Sequence, residues 1–131
     1  MTILSFAHYN LRAPRPLLEE LCRFYCEVVG LHVGERPPFN FHGYWLYAGA
    51  RDVLHLTEAH EDEIRQVNVK GTFDHAAFNC ENLIAVQKHL RDAGIRYRQS
   101  IVPLTGRVQL FFSDPAGNGV ELNFPDEGNK A

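Results

Sequence analysis

Polar and apolar residues alternate along residues 3–12, placing Phe6, His8 and Asn10 on one side of a predicted strand and Ala7, Tyr9 and Leu11 on the other. The period then changes. Leu17, Leu18, Leu21, Phe24, Tyr25, Val28 and Val29 make a broad helical stripe, with Pro14 and Pro16 at its entrance and Gly30 at its end. Short strands are predicted over residues 31–35, 44–47 and 53–58, separated by Pro37-Pro38 and by Gly49-Ala50-Arg51-Asp52. The polar stretch 60–70, with its Glu61-Asp62-Glu63 run, reads as a linker. The same order then returns: a strand over 72–80, a helix through Leu83, Val86, Leu90 and Ala93 closed by Gly94, and strands near 95–101, 108–113 and 120–124. Asp114-Pro115-Ala116-Gly117 has turn chemistry between the last two strands.

The pattern is βαβββ twice. It predicts an α+β fold in one domain over 1–131, with module one about 3–59, a linker over 60–70 and module two about 71–125.

The repeat matters because it carries ligands. His8 and His75 stand near the first strand of each copy. His55 follows His8 by 47 residues and Glu121 follows His75 by 46. In residues 53–57 His55 points away from Leu54 and Leu56, and in 120–124 Glu121 points away from Val120, Leu122 and Phe124. On a sheet face curved into a cup, His8, His55, His75 and Glu121 would converge on one divalent metal. Imidazole and carboxylate suit zinc, nickel, cobalt, manganese or iron, and the lack of a thiolate disfavours a purely structural zinc site. Each residue alone has an ordinary reading, a strand histidine bonded to a carbonyl or a solvent-facing glutamate. Four at matching positions favour a site. His32, His42, His60 and His89 lack the repeat logic.

Composition narrows the classes. Hydrophobic content of 45% and charged content of 22% in 131 residues are those of a globular domain. A net charge of −3 leaves no basic footprint for nucleic acid. No apolar run reaches the ~20 residues of a membrane span. The three cysteines are an odd count, and the N-terminus lacks a secretory pattern, so a reducing cytoplasm is expected.

These residues resemble the vicinal oxygen chelate superfamily, which includes glyoxalase I, methylmalonyl-CoA epimerase, fosfomycin-resistance transferases, bleomycin-binding proteins and extradiol dioxygenases. The resemblance runs from Phe6-Ala7-His8 to Glu121-Leu122-Asn123-Phe124, and residues 111–121 are its most specific part. It implies paired modules forming a curved, cup-like mixed sheet, a metal offering adjacent positions to two substrate oxygens, and a homodimer. In such a dimer His8 and His55 would come from one chain and His75 and Glu121 from the other.

Glyoxalase-like relatives hold histidine or glutamine, glutamate, histidine and glutamate at the four positions. Here the second is His55. Glu121 would shuttle a proton between neighbouring carbons, and His55 would be a ligand or a second acid–base group. The alternative is iron(II) extradiol-type dioxygenase chemistry on His8, His75 and Glu121. It is ranked lower because Phe111 stands where that signature has tyrosine, and the 102–107 region lacks its histidine. A non-enzymatic, bleomycin-binding module would not need to keep the ligand set, and no phosphonate- or potassium-binding loop of the fosfomycin kind is identifiable. For a small-molecule substrate, Trp45, Tyr47 and Phe111 (with Tyr97) would supply an aromatic cleft. Arg98 and Arg107 (with Arg12 and Arg36) would bind an anionic group.

Overall fold

The computed structural model describes residues 1–125. The chain divides into two compact units, one over Met1–Gln66 and one beginning at Val67. The first unit runs β1 (Tyr9–Ala13), helix α1 (Arg15–Phe24), β2 (His32–Val33), β3 (Gly43–Ala48) and β4 (Arg51–Glu58). The second runs β5 (His75–Asn79), helix α2 (Leu83–Asp92), β6 (Arg98–Ile101), β7 (Val108–Ser113) and β8 (Gly119–Phe124). Each unit is therefore βαβββ, and each forms a four-stranded mixed sheet: β1-β4-β3-β2 in one, β5-β8-β7-β6 in the other. The α+β architecture expected from the repeat is present in both.

The first and last strands of each unit pair parallel, and the remaining pairs are antiparallel. This sets the function-bearing geometry. Parallel neighbours start at the same end of a sheet, so residues at the start of β1 stand beside the start of β4. The start of β5 likewise stands beside that of β8.

Pro14 precedes α1 and Pro16 lies in its first turn, where proline costs no helical hydrogen bond. The helix widens into a π-helical turn over Tyr25–Val29 and stops at Gly30, whose φ of 98° is left-handed. In the first unit Leu18, Leu21 and Tyr25 are buried, as are Leu46, Leu54 and Leu56 of the sheet. In the second the buried set is Leu90 of α2 with Leu110, Phe112, Val120, Leu122 and Phe124. Each such side chain contributes about 1.5–3 kcal/mol on burial. Strand parity predicted the inward sides of Leu54 and Leu56 and of Val120, Leu122 and Phe124.

Several predicted strands are shorter than expected. Residues 3–8 are not in β1; Ile3, Leu4 and Phe6 are exposed, so no burial rewards their pairing. Only His32–Val33 of 31–35 and Arg98–Ile101 of 95–101 are strand. Among the described residues no helix is long and apolar enough to cross a membrane. Cys22, Cys26 and Cys80 are free thiols.

Candidate metal centre

In the first unit, His8 immediately precedes β1 and His55 sits in β4. The register puts Asn10 and Trp45 on either side of His55 across the sheet. The His8 and His55 rings are stacked, with centroids 3.6 Å apart and planes 16° from parallel. Trp45 is stacked on His55 as well, at 4.2 Å and 7°. Because β1 and β3 flank β4, these two rings cover opposite faces of a single imidazole. The His55 edge is also fixed: Nε2–H donates to Asp52 Oδ2 at 2.7 Å. That hydrogen bond holds the Asp52 carboxyl below its ordinary range. His55 itself is buried, with 8% of its surface exposed.

Asp52 was not legible as a site residue, and β4 shows why. Leu46 pairs with Leu54 but Tyr47 pairs with Asp52, so Val53 is an extra residue in β4. Three residues apart in a regular strand means opposite faces. The bulge removes one step and brings Asp52 to the side of His55.

In the second unit, His75 opens β5 beside Gly119, and Ala77 pairs with Glu121. His75 Nδ1 lies 2.7 Å from Asp74 Oδ2, and His75 Nε2 lies 3.2 Å from Glu121 Oε1. Gln109 Nε2 donates to the other oxygen of Glu121 at 3.3 Å. Glu121 is buried at 7% exposure. Asp74, adjacent to His75, and Gln109, which shares the strand parity of Phe111, are further residues that sequence reasoning did not single out.

The donor chemistry fits a divalent metal. Two donors at about 2.0–2.2 Å from one ion lie roughly 3–3.5 Å apart when they are neighbours in its coordination shell. The 3.2 Å separation of His75 Nε2 and Glu121 Oε1 meets that condition. With Asp74 held at Nδ1, Nε2 is the ring nitrogen turned toward Glu121. In the first unit, donor atoms of His8, Asp52 and His55 all lie within 4.8 Å of one another. Each unit thus brings its own expected residues together, His8 with His55 and His75 with Glu121.

Of the expected substrate residues, Trp45, Tyr47, Arg36, Phe111 and Arg98 line two clefts. Trp45 and Tyr47 line a cleft of about 480 Å³ with Arg36 in the first unit. Phe111 and Arg98 line a cleft of about 530 Å³ beside His75 in the second, together with Lys70 and Phe73. The Arg98 guanidinium lies 4.6 Å from the centre of the Phe111 ring. Phe111 also meets His75 edge-on at 5.6 Å. Arg107 lies outside both clefts, in the turn ahead of β7.

Trp45 pairs with His55 and Phe111 pairs with Glu121, so an aromatic residue occupies the same place beside the candidate residue in both copies. With this duplication established, comparison with known proteins is direct. Residues 5–122 match the family model of the Glyoxalase/Bleomycin resistance protein/Dioxygenase superfamily, and the chain belongs to that superfamily. It is 34% identical over 110 residues to glyoxylase I 4 of Arabidopsis thaliana, covering 80% of this chain and 63% of that relative. The chain therefore spans less than two thirds of the relative's length. Among solved structures, a glyoxalase family protein from Bacillus anthracis matches with a TM-score of 0.71 at 21% identity, over 95% of this chain and 97% of that one. A lactoylglutathione lyase from Agrobacterium tumefaciens matches at 0.64 and 20%, over 92% of each chain. These two likenesses concern the fold.

Proposed function

We propose that this protein is a divalent-metal-dependent lyase or isomerase of the glyoxalase kind, moving a proton on a small substrate held through two oxygens. The observation that carries the reading is Glu121: a buried carboxylate with one oxygen beside His75 and the other held by Gln109. The family membership and the Arabidopsis relative support the same class.

The proposed ligands are His8, His55, His75 and Glu121, binding one metal per site. A bound zinc, nickel, cobalt, manganese or iron ion would draw charge from the substrate oxygens and ease loss of the neighbouring proton. The Glu121 carboxylate takes that proton from one carbon and returns it to the next, leaving the substrate redox state unchanged. Asp74 holds His75 in one orientation, and Asp52 does the same for His55. Arg98, in the cleft beside His75, binds an anionic group on the substrate, and Phe111 packs against its apolar part.

A homodimer is part of this proposal, with the ligand pairs His8–His55 and His75–Glu121 contributed by different chains. The exposed apolar run Ile3, Leu4 and Phe6 supports an association surface. A reducing cytoplasm is the proposed setting, supported by the free thiols.

The test is metal analysis of the purified protein followed by an activity screen with that metal. Nickel, cobalt or zinc with isomerisation under anaerobic conditions is the expected result. Iron with oxygen uptake would replace the proposal with ring-cleaving or related oxygen chemistry on His8, His75 and Glu121. Metal-free protein that binds an antibiotic stoichiometrically would replace it with sequestration. Sedimentation showing only monomer at micromolar concentration, with metal bound, would refute the shared-site dimer.

A further inference from the structure

Cys22 lies near the end of α1, and Cys26 lies in the π-helical turn that follows it. On a regular α-helix a residue stands about 40° past the one four positions earlier. A π turn holds more residues, so each of them advances less. Gly30 N–H donates to the Tyr25 carbonyl at 3.0 Å, the five-residue spacing of such a turn. The step from Cys22 to Cys26 crosses from one helix type into the other, and the offset shrinks. Cys26 is carried closer to the line of Cys22, and the two thiols are in hydrogen-bond contact. Single π turns inside helices gather at functional sites.

We propose that Cys22 and Cys26 form a dithiol site for copper(I), held between two sulfurs at the end of α1. It goes beyond the reading above and is independent of it, because it uses none of His8, His55, His75 and Glu121.

Three observations carry it. The first is reach. Side chains four apart on a helix have Cβ atoms about 5–6 Å apart, whereas a disulfide needs about 3.5–4.5 Å. Direct bonding of the sulfurs would distort the helix, and both cysteines are free thiols. An ion between them removes that difficulty, since two metal–thiolate bonds of roughly 2.3 Å each span the pair.

The second is ligand number. Among the described residues, Cys22 and Cys26 belong to no group of three or more donors close enough to share an ion. Structural zinc takes four ligands. Two soft thiolates by themselves suit copper(I). The third is the setting. Leu18, Leu21 and Tyr25 around the pair are buried, Arg23 and Glu27 are exposed, and both thiols are half-buried at the boundary. An ion can enter from solvent and then lie against apolar side chains that keep water from competing for it.

On binding, each thiol releases its proton to solvent. The sulfurs stay reduced and the copper stays monovalent, so no oxidant or reductant is consumed. The complex carries one net negative charge, next in sequence to the cationic Arg23. Packing alone, in which each cysteine is only a small apolar side chain, gives a pair that binds nothing. The experiment separates the two readings.

The full chain, reduced and metal-free, is equilibrated without oxygen with the copper(I) complex of bicinchoninate, and loss of the complex's colour is followed. The parent protein and Cys80→Ser should each take up one copper(I) per chain. Cys22→Ser and Cys26→Ser should lose more than the about 10–100-fold in affinity that follows removal of an outer-shell partner. Cys22→Ala and Cys26→Ala repeat the measurement without a hydroxyl. X-ray absorption at the copper edge of the loaded parent protein should show two sulfur neighbours, a readout that does not depend on any variant folding. No copper withdrawn by the parent protein, unchanged affinity in the Cys22 variants, a requirement for Cys80, or nitrogen neighbours on the copper would each overturn the proposal.

Discussion

A methyl group on Gly119 would stand 2.2 Å from the carbonyl oxygen of Asp74. The same methyl would be 3.0 Å from the Cβ of His75, so this glycine sets how closely β8 approaches the start of β5. Backbone atoms give way poorly. Gly119→Ala should destabilise the protein by about 1–3 kcal/mol, the usual cost of overpacking, and should weaken metal binding by moving His75 away from Glu121. Gly71→Ala is the control, because a Cβ there meets nothing within 4 Å. Denaturant midpoints and metal titrations on both variants check this, and equal stability would refute it.

Glu121→Gln keeps an oxygen donor of nearly the same size and removes the basic carboxylate. Turnover should fall by roughly 10²–10⁴-fold, while measurable metal remains bound. Full turnover with metal bound as before would eliminate Glu121 as the base.

Asp74→Asn leaves His75 in place but replaces the anion at Nδ1 with an amide that can present either a donor or an acceptor. Metal affinity should drop about 10–100-fold with little change in stability, because Asp74 is exposed. Affinity equal to the parent protein would show that Asp74 does not position the ring.

Glu63 sets an acid limb. Hydrogen bonds from Arg12 and Arg65 hold its carboxyl at about 2, against an ordinary value of 4.5. A lowered folded-state value favours the folded state above the unfolded value, so this contribution is complete above pH 4.5. It is lost as the pH falls through about 2. Glu63→Gln should remove that component of the acid unfolding profile between these values. A profile of unchanged shape would refute the assignment.

Much of the fold was legible because the chain states it twice. Leu54 and Leu56, or Leu122 and Phe124, alternate with polar neighbours in short strands whose buried side follows from period alone. The pairing of His8 with His55 was legible for the same reason. Asp52 was not, since parity puts it with Leu54 and only the inserted Val53 turns it toward His55. Asp74 was hidden differently: it precedes β5 and acts on its immediate neighbour, a contact with no period to reveal it. The shortening of β1 was invisible because alternation in residues 3–8 looks the same whether or not a partner strand buries it.

The parallel pairing of β1 with β4 has an evolutionary consequence. The closeness of His8 and His55 depends on that strand register, and the intervening residues 34–42, between β2 and β3, take no part in it. Insertions or deletions there would change the cleft beside Trp45 and Tyr47 while leaving the two histidines side by side. A lineage carrying this scaffold can therefore reshape that cleft by varying the length of one loop, with the His8–His55 pair inherited unchanged.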